Sequence, residues 1–191
     1  MKHENKNYYF TSDLHFSHHN IISYCNRPFA NTDVMNKELV EIWNDTVTNN
    51  DVVYILGDVA FEKDLVKLDN ILMSLHGEKH IVWGNHDELI KNKLDWRKYF
   101  KTAQDLATIT IPAESNNGVK QKIALCHYAM RVWDCSHRGS WQLYGHSHGG
   151  LPDDPTLLSC DIGVDCWGYA PVSMEQLNKV MSAKTINQRK S

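Results

Sequence analysis

A chain of 191 residues, 42% hydrophobic and 23% charged, has the size of one globular domain with a substantial core and does not read as disordered. Its formal charge of -3 gives no overall pull toward nucleic acid or an anionic membrane, and no run approaches the roughly 20 apolar residues that span a bilayer. Cys25, Cys126, Cys135, Cys160 and Cys166 are odd in number without a Cys-x-x-Cys pair. With a polar Met1 to Asn7 start, the expectation is small buried thiols in a reducing cytoplasm, not a disulfide framework.

Tyr8 to Ser12 reads as a first strand of β-formers. Thr32 is a candidate cap for a helix over Asp33 to Thr48, where Met35, Leu39, Ile42, Trp43 and Val47 recur at helical spacing. Asp51 to Leu56 fits a buried strand. Leu65, Leu68, Leu72 and Leu75 predict a second amphipathic helix stopped at Gly77, and His80 to Trp83 is a third strand. Alternation of strand and helix points to an α/β fold. The second half reads as more antiparallel. Thr108 to Pro112 and Lys120 to Cys126 flank the turn signal Asn116-Asn117-Gly118, and Trp141 to Tyr144 and Leu157 to Val164 are further strands. Ser173 with Gln176 forms a capping box before a helix over Met174 to Ser182, and a polar tail from Lys184 is expected to fray. No linker or internal repeat divides the chain, so one domain is expected.

Five short stretches carry metal-binding side chains, each directly after an expected strand: Asp13-Leu14-His15, Gly57-Asp58, Gly84-Asn85-His86-Asp87, His127 and Gly145-His146-Ser147-His148. Any one alone is an ordinary turn. Five in order across most of the chain imply a metal site, and their ligand set is too large for one ion and about right for two. Asp13 and His15 lie two apart, where strand alternation would put both on one face, and the same holds for His146 and His148 if extended backbone persists there. The Asp58 carboxylate can bridge two cations, which an imidazole cannot do. Neutral imidazoles beside oxygens suit Zn, Mn or Fe better than Mg.

These motifs resemble those of the calcineurin-like metallophosphoesterase superfamily: Asp-x-His, Gly-Asp, Gly-Asn-His-Asp/Glu, His and Gly-His-x-His. The match runs from Asp13 to His148. The chain is most similar to small single-domain bacterial and phage members, with Ser12 to Phe16 and Gly163-Val164-Asp165-Cys166-Trp167 as their accompanying motifs. The resemblance implies a four-layer α/β/β/α sandwich of two mixed sheets flanked by helices, with the active site at strand C-terminal ends. It implies two divalent transition ions, manganese foremost, with iron, zinc or nickel as alternatives. One ion would take Asp13, His15, Asp58 and His148, and the other Asp58, Asn85, His127 and His146. Hydrolysis of a phosphomonoester or phosphodiester would follow from in-line attack of a hydroxide between the ions. His86 would stabilise charge or protonate the leaving oxygen, and Asp87 would orient His86.

Phe61 stands where purple acid phosphatases carry a metal-binding tyrosine, so a tyrosinate-bound ferric ion is not expected. His18, His19 and Arg27 are candidate substrate contacts. Arg131 and Arg138 are read as solvated or structural, Trp133 and Trp141 as core, and Asp165 as either a supporting carboxylate or a strand end. The expected substrate is a small phosphoester or nucleotide, and the charge balance lends nucleic acid no support. A nuclease or cyclic-nucleotide phosphodiesterase is the alternative within enzymes. A metal-free scaffold would predict substitutions among the ligands, and none is present.

Overall fold

The computed structural model describes residues 6–185; the first five residues and the last six, most of the polar tail, lie outside them. In the first half β1 (Tyr8–Thr11), α1 (His19–Tyr24), α2 (Thr32–Thr46), β2 (Val52–Ile55), α3 (Leu65–Ser74), β3 (Glu78–Val82), α4 (Glu88–Lys93) and β4 (Thr102–Gln104) follow one another. The second half supplies β5 (Ala107–Ile111), β6 (Gln121–Leu125), β7 (Trp141–Tyr144), β8 (Ser159–Asp161), β9 (Val172–Ser173) and α5 (Met174–Ser182).

The fold is α/β, with two mixed sheets flanked by helices. In the first sheet, ordered β4-β3-β2-β1-β9, strands β1 to β4 are parallel and β9 is antiparallel. In the second, ordered β5-β6-β7-β8, only the β5–β6 hairpin is antiparallel. The expected antiparallel second half is therefore corrected. The connections from β6 to β7 and from β7 to β8 each exceed the roughly dozen residues that a parallel crossover needs.

Strand alternation in the first sheet assigns each face. Val53, Ile55 and Ile81 join a cluster with Met35, Leu39 and Trp43 of α2 and Leu68 and Leu72 of α3. The intervening Phe10, Leu56 and Val82 join Ile123, Leu125 and Leu143 of the second sheet and Leu177 of α5. Both faces are covered, which is why these strands read as nearly unbroken apolar runs. Full burial of each such side chain stabilises the fold by about 1.5–3 kcal/mol.

Asn31, not Thr32, caps α2, its side chain accepting from the Val34 amide, because Thr32 is already helical. Asp64 caps α3, and the Ser173–Gln176 capping box opens α5. Of the thiols only Cys160 is buried. Cys25, Cys126 and Cys135 are half-buried and Cys166 is exposed, against the expectation of buried cysteines. Lys184 does not fray: its ammonium donates to the Asp153 carboxylate and its side chain is buried. No helix among the described residues is long and apolar enough to cross a membrane.

Candidate metal centre

Each candidate ligand follows the C-terminal end of a strand: Asp13 and His15 after β1, Asp58 after β2, Asn85 after β3, His127 after β6, His146 and His148 after β7. Parallel strands end on the same edge, so residues far apart in sequence converge. The pairing of β1 with β2 continues past both strands, with amides of Asp13, His15 and Phe16 donating to carbonyls of Gly57, Asp58 and Val59.

Strand alternation is not what brings Asp13 and His15 together. Asp13, His15, Asp58, His146 and His148 all adopt positive φ, between 47° and 66°, so the chain has left β geometry at each. Asp and His tolerate this left-handed region better than most residues, though it still stores strain. Close backbone approach makes the geometry possible. A Cβ on Gly84 would collide with the Asp58 amide and carboxylate, and one on Gly145 would strike the Ser12 hydroxyl.

The candidate ligands form two donor sets, Asp13 with His15 and His148, and Asp58 with His127 and His146; a third grouping among the described residues, Cys25 with Asp165, shares His148 with the first. In the first, His15 Nε2 lies 3.9 Å from Asp13 Oδ1, and His148 Nε2 lies 4.0 Å from the same oxygen. Asp13 Oδ1 and both ring nitrogens of His15 are buried without a hydrogen-bond partner. Such orphaned groups typically cost about 1–3 kcal/mol each. Burial pushes the Asp13 carboxyl up to about 7 and the His15 imidazole down to about 2. In the second set, His127 Nδ1 donates to the Leu56 carbonyl at 2.6 Å, since a carbonyl only accepts. That leaves Nε2 facing Asn85 Oδ1 at 3.1 Å and Asp58 Oδ2 at 3.5 Å. Burial alone would raise the Asp58 pKa, but its contacts to His127 hold it below the usual carboxylate range.

Unpartnered nitrogen and oxygen atoms converging in the buried first set, without a thiolate among them, are the donor chemistry of a transition-metal site. The residues present fit two such ions. Asp58 Oδ2 is 3.7 Å from His15 Nε2 as well as 3.5 Å from His127 Nε2, so it stands between the sets.

The supporting residues differ from expectation in two cases. Arg27 is not a substrate contact. Its buried guanidinium donates to both Asp165 oxygens at 2.8 and 2.9 Å and to the Leu14 and Asp13 carbonyls at 2.8 and 2.7 Å, which leaves it no reach toward a ligand. Asp165 in turn accepts from His148 Nδ1 at 2.7 Å, so it orients a candidate ligand rather than merely ending a strand. Asp87 does not bond to His86. Its carboxylate accepts the amides of Asp58, Val59 and Gly84 at 3.0, 2.8 and 2.8 Å, clasping the Asp58 loop to the Gly84 turn.

His86 is exposed at the rim, its amide donating to Asp58 Oδ1 at 2.9 Å and its ring 6.0 Å from that of His15. His18 stacks on Phe61 at 3.8 Å, and Phe61 also meets His86 at 4.4 Å, so His18 borders the site. His19 is exposed at the start of α1. Trp133 and Trp141 are core residues. Sequence reasoning did not single out Tyr128, whose hydroxyl lies 3.3 Å from Asn85 Oδ1; its only signal was adjacency to His127.

No family model matches the chain. The gene 66 protein of Mycobacterium phage D29 is 27% identical, covering 92% of this chain and 96% of its own length. A protein of unknown function from Aquifex aeolicus, AQ665, shares the fold at a TM-score of 0.66 and 22% identity, covering 92% of this chain and all of its own. The uncharacterized protein MJ1445 of Methanocaldococcus jannaschii is 33% identical over 94% of this chain and 96% of its own length. At that identity, sustained along nearly the whole of both sequences, the chain belongs to one family with MJ1445.

Proposed function

We propose that the chain is a dimetal-dependent phosphoesterase of the calcineurin-like type, hydrolysing a phosphomonoester or phosphodiester. The observation that carries this reading is the pair of donor sets sharing the space around Asp58, the first of them with Asp13 Oδ1 and both His15 ring nitrogens buried without a hydrogen-bond partner. Asp13, His15, Asp58 and His148 would hold one cation, and Asp58, Asn85, His127 and His146 the other. Two bound cations supply Lewis acidity toward phosphoryl oxygens and acidify water.

The chain's own residues do the rest. Arg27 and Asp165 hold the Asp13–Leu14 backbone and the His148 ring. Asp87 fixes the Asp58 loop. Hydrolysis forms a bond from a water oxygen to phosphorus and breaks the phosphorus–oxygen bond to the alcohol. His86, at the rim and tethered through its amide to Asp58, is placed to deliver the proton with which the alcohol leaves.

The test supplies manganese to purified protein and measures hydrolysis of p-nitrophenyl phosphate and its bis-ester, with metal content determined in parallel. Turnover abolished by chelation, with close to two ions per chain, is expected. Failure to retain any transition ion after reconstitution would overturn the reading.

A further inference from the structure

A groove of about 490 Å³ opens from the Asn85 and His127 side of the donor sets and runs past α4 to the residue following β4. That volume lies in the ~300–1,000 Å³ range of small-ligand sites. Two aromatic side chains line it. Trp83 is half-buried and braced edge-on by Trp96 and Phe100, and Tyr128 is 48% exposed. Tyr128 joins the groove to the donor sets, its ring centroid 4.8 Å from that of His146 and its hydroxyl against Asn85.

The charges decide what fits. Lys91 is engaged by Asp105 at 3.1 Å and lies 5.7 Å over the Trp83 ring, while Glu88 adds a second carboxylate. Two carboxylates against one ammonium make the groove unfavourable for a further phosphate, which disfavours a polynucleotide or a bisphosphate. An uncharged planar group suits the aromatic walls, and Asn92 and Glu88 offer hydrogen-bond partners for hydroxyls and ring nitrogens.

We propose that this groove is a nucleoside subsite and that the substrate is a nucleoside phosphate ester, its phosphoryl group at the donor sets and its base between Trp83 and Tyr128. The assignment rests on the phosphoesterase reading above. Stacking of a base on an aromatic side chain is worth roughly five-fold to 150-fold in affinity.

The test compares kcat/KM of the manganese-loaded full chain for adenosine monophosphate and 2′,3′-cyclic adenosine monophosphate with that for glycerol 3-phosphate and its methyl diester. Wild type, Tyr128→Ala and Asn92→Trp are measured side by side. Wild type should prefer at least one nucleotide by about tenfold or more over the matching non-aromatic ester. Both variants should erase that preference chiefly through KM. Equal efficiency on both classes in wild type, or variants that depress both classes alike, would overturn the groove assignment and leave the phosphoesterase reading standing. Hydrolysis of none of the four while p-nitrophenyl phosphate or its bis-ester is still turned over would overturn the groove assignment alone, and failure on those esters as well would overturn both.

Discussion

Arg27 offers the sharpest test of how the site is supported. Its side chain is 0% exposed and its partner Asp165 only 7%, and the guanidinium makes a two-pronged bond to that carboxylate plus two bonds to backbone carbonyls. Arg27→Met keeps the apolar stem but leaves the buried Asp165 carboxylate with only the bond from His148 Nδ1. Removing one partner of a buried pair costs about 3–5 kcal/mol. The two carbonyls add to this only in part, because each keeps a second lone pair and water can reach the opened space. The expected loss is thus about 3–5 kcal/mol, a large share of the roughly 5–15 kcal/mol that holds a domain together. With a urea m-value of about 2 kcal/mol/M, the midpoint falls by about 2 M. Asp165→Asn and the double variant complete a cycle, whose coupling should exceed about 1 kcal/mol. The exposed Lys37–Glu41 pair is the control, at about 0.3–0.5 kcal/mol. A loss below about 1 kcal/mol for Arg27→Met would refute the reasoning that this charge pair is closed to water.

Three further outcomes are expected. His86→Ala should lower kcat by roughly 10²- to 10⁴-fold while bound manganese, read by metal analysis, stays at the wild-type level; loss of metal instead would make His86 a ligand. Gly145→Ala places a Cβ 2.6 Å from that of Ser12, so thermal unfolding should register a loss of about 1–3 kcal/mol, and an unchanged Tm would contradict the close approach. Burial pushes the Cys160 thiol up to about 12, which leaves almost no thiolate near pH 8. Mass spectrometry after iodoacetamide treatment at that pH should find Cys160 modified only once the chain is unfolded in urea, and equal labelling of the folded chain would show the site to be open.

Legibility in the sequence followed how local each determinant is. Buried parallel strands announce themselves as apolar runs, and the Ser173–Gln176 box marks α5 because the cap is made within four residues. α1 and α4 were not expected: six residues each show no repeat of apolar spacing. β4 is three residues long and largely exposed, so nothing in its pattern separates it from a loop. The metal-binding side chains stood out by chemical type, but the reason given for Asp13 and His15 was wrong, since left-handed backbone places them, not pleating. Arg27 and Asp87 were misassigned because their partners lie 138 and 28 or 29 residues away, in segments that only the folded topology brings alongside. The Trp83–Tyr128 groove was invisible for the same reason.

The convergence of strand ends has a mechanical consequence. Each donor set draws on both sheets: Asp13 and His15 leave the first and His148 the second, while Asp58 leaves the first and His127 and His146 the second. A cation in either set would act as a further cross-link at the open end of the sandwich, where the His146 amide already donates to Asp13 Oδ2 and His127 Nδ1 to the Leu56 carbonyl across the layers. Sliding one sheet past the other would then require breaking coordination bonds, and the two layers would respond to force as one body. Loading with metal should therefore slow amide exchange within β5, which leads into no candidate ligand, because opening the sheets would first require releasing the ion.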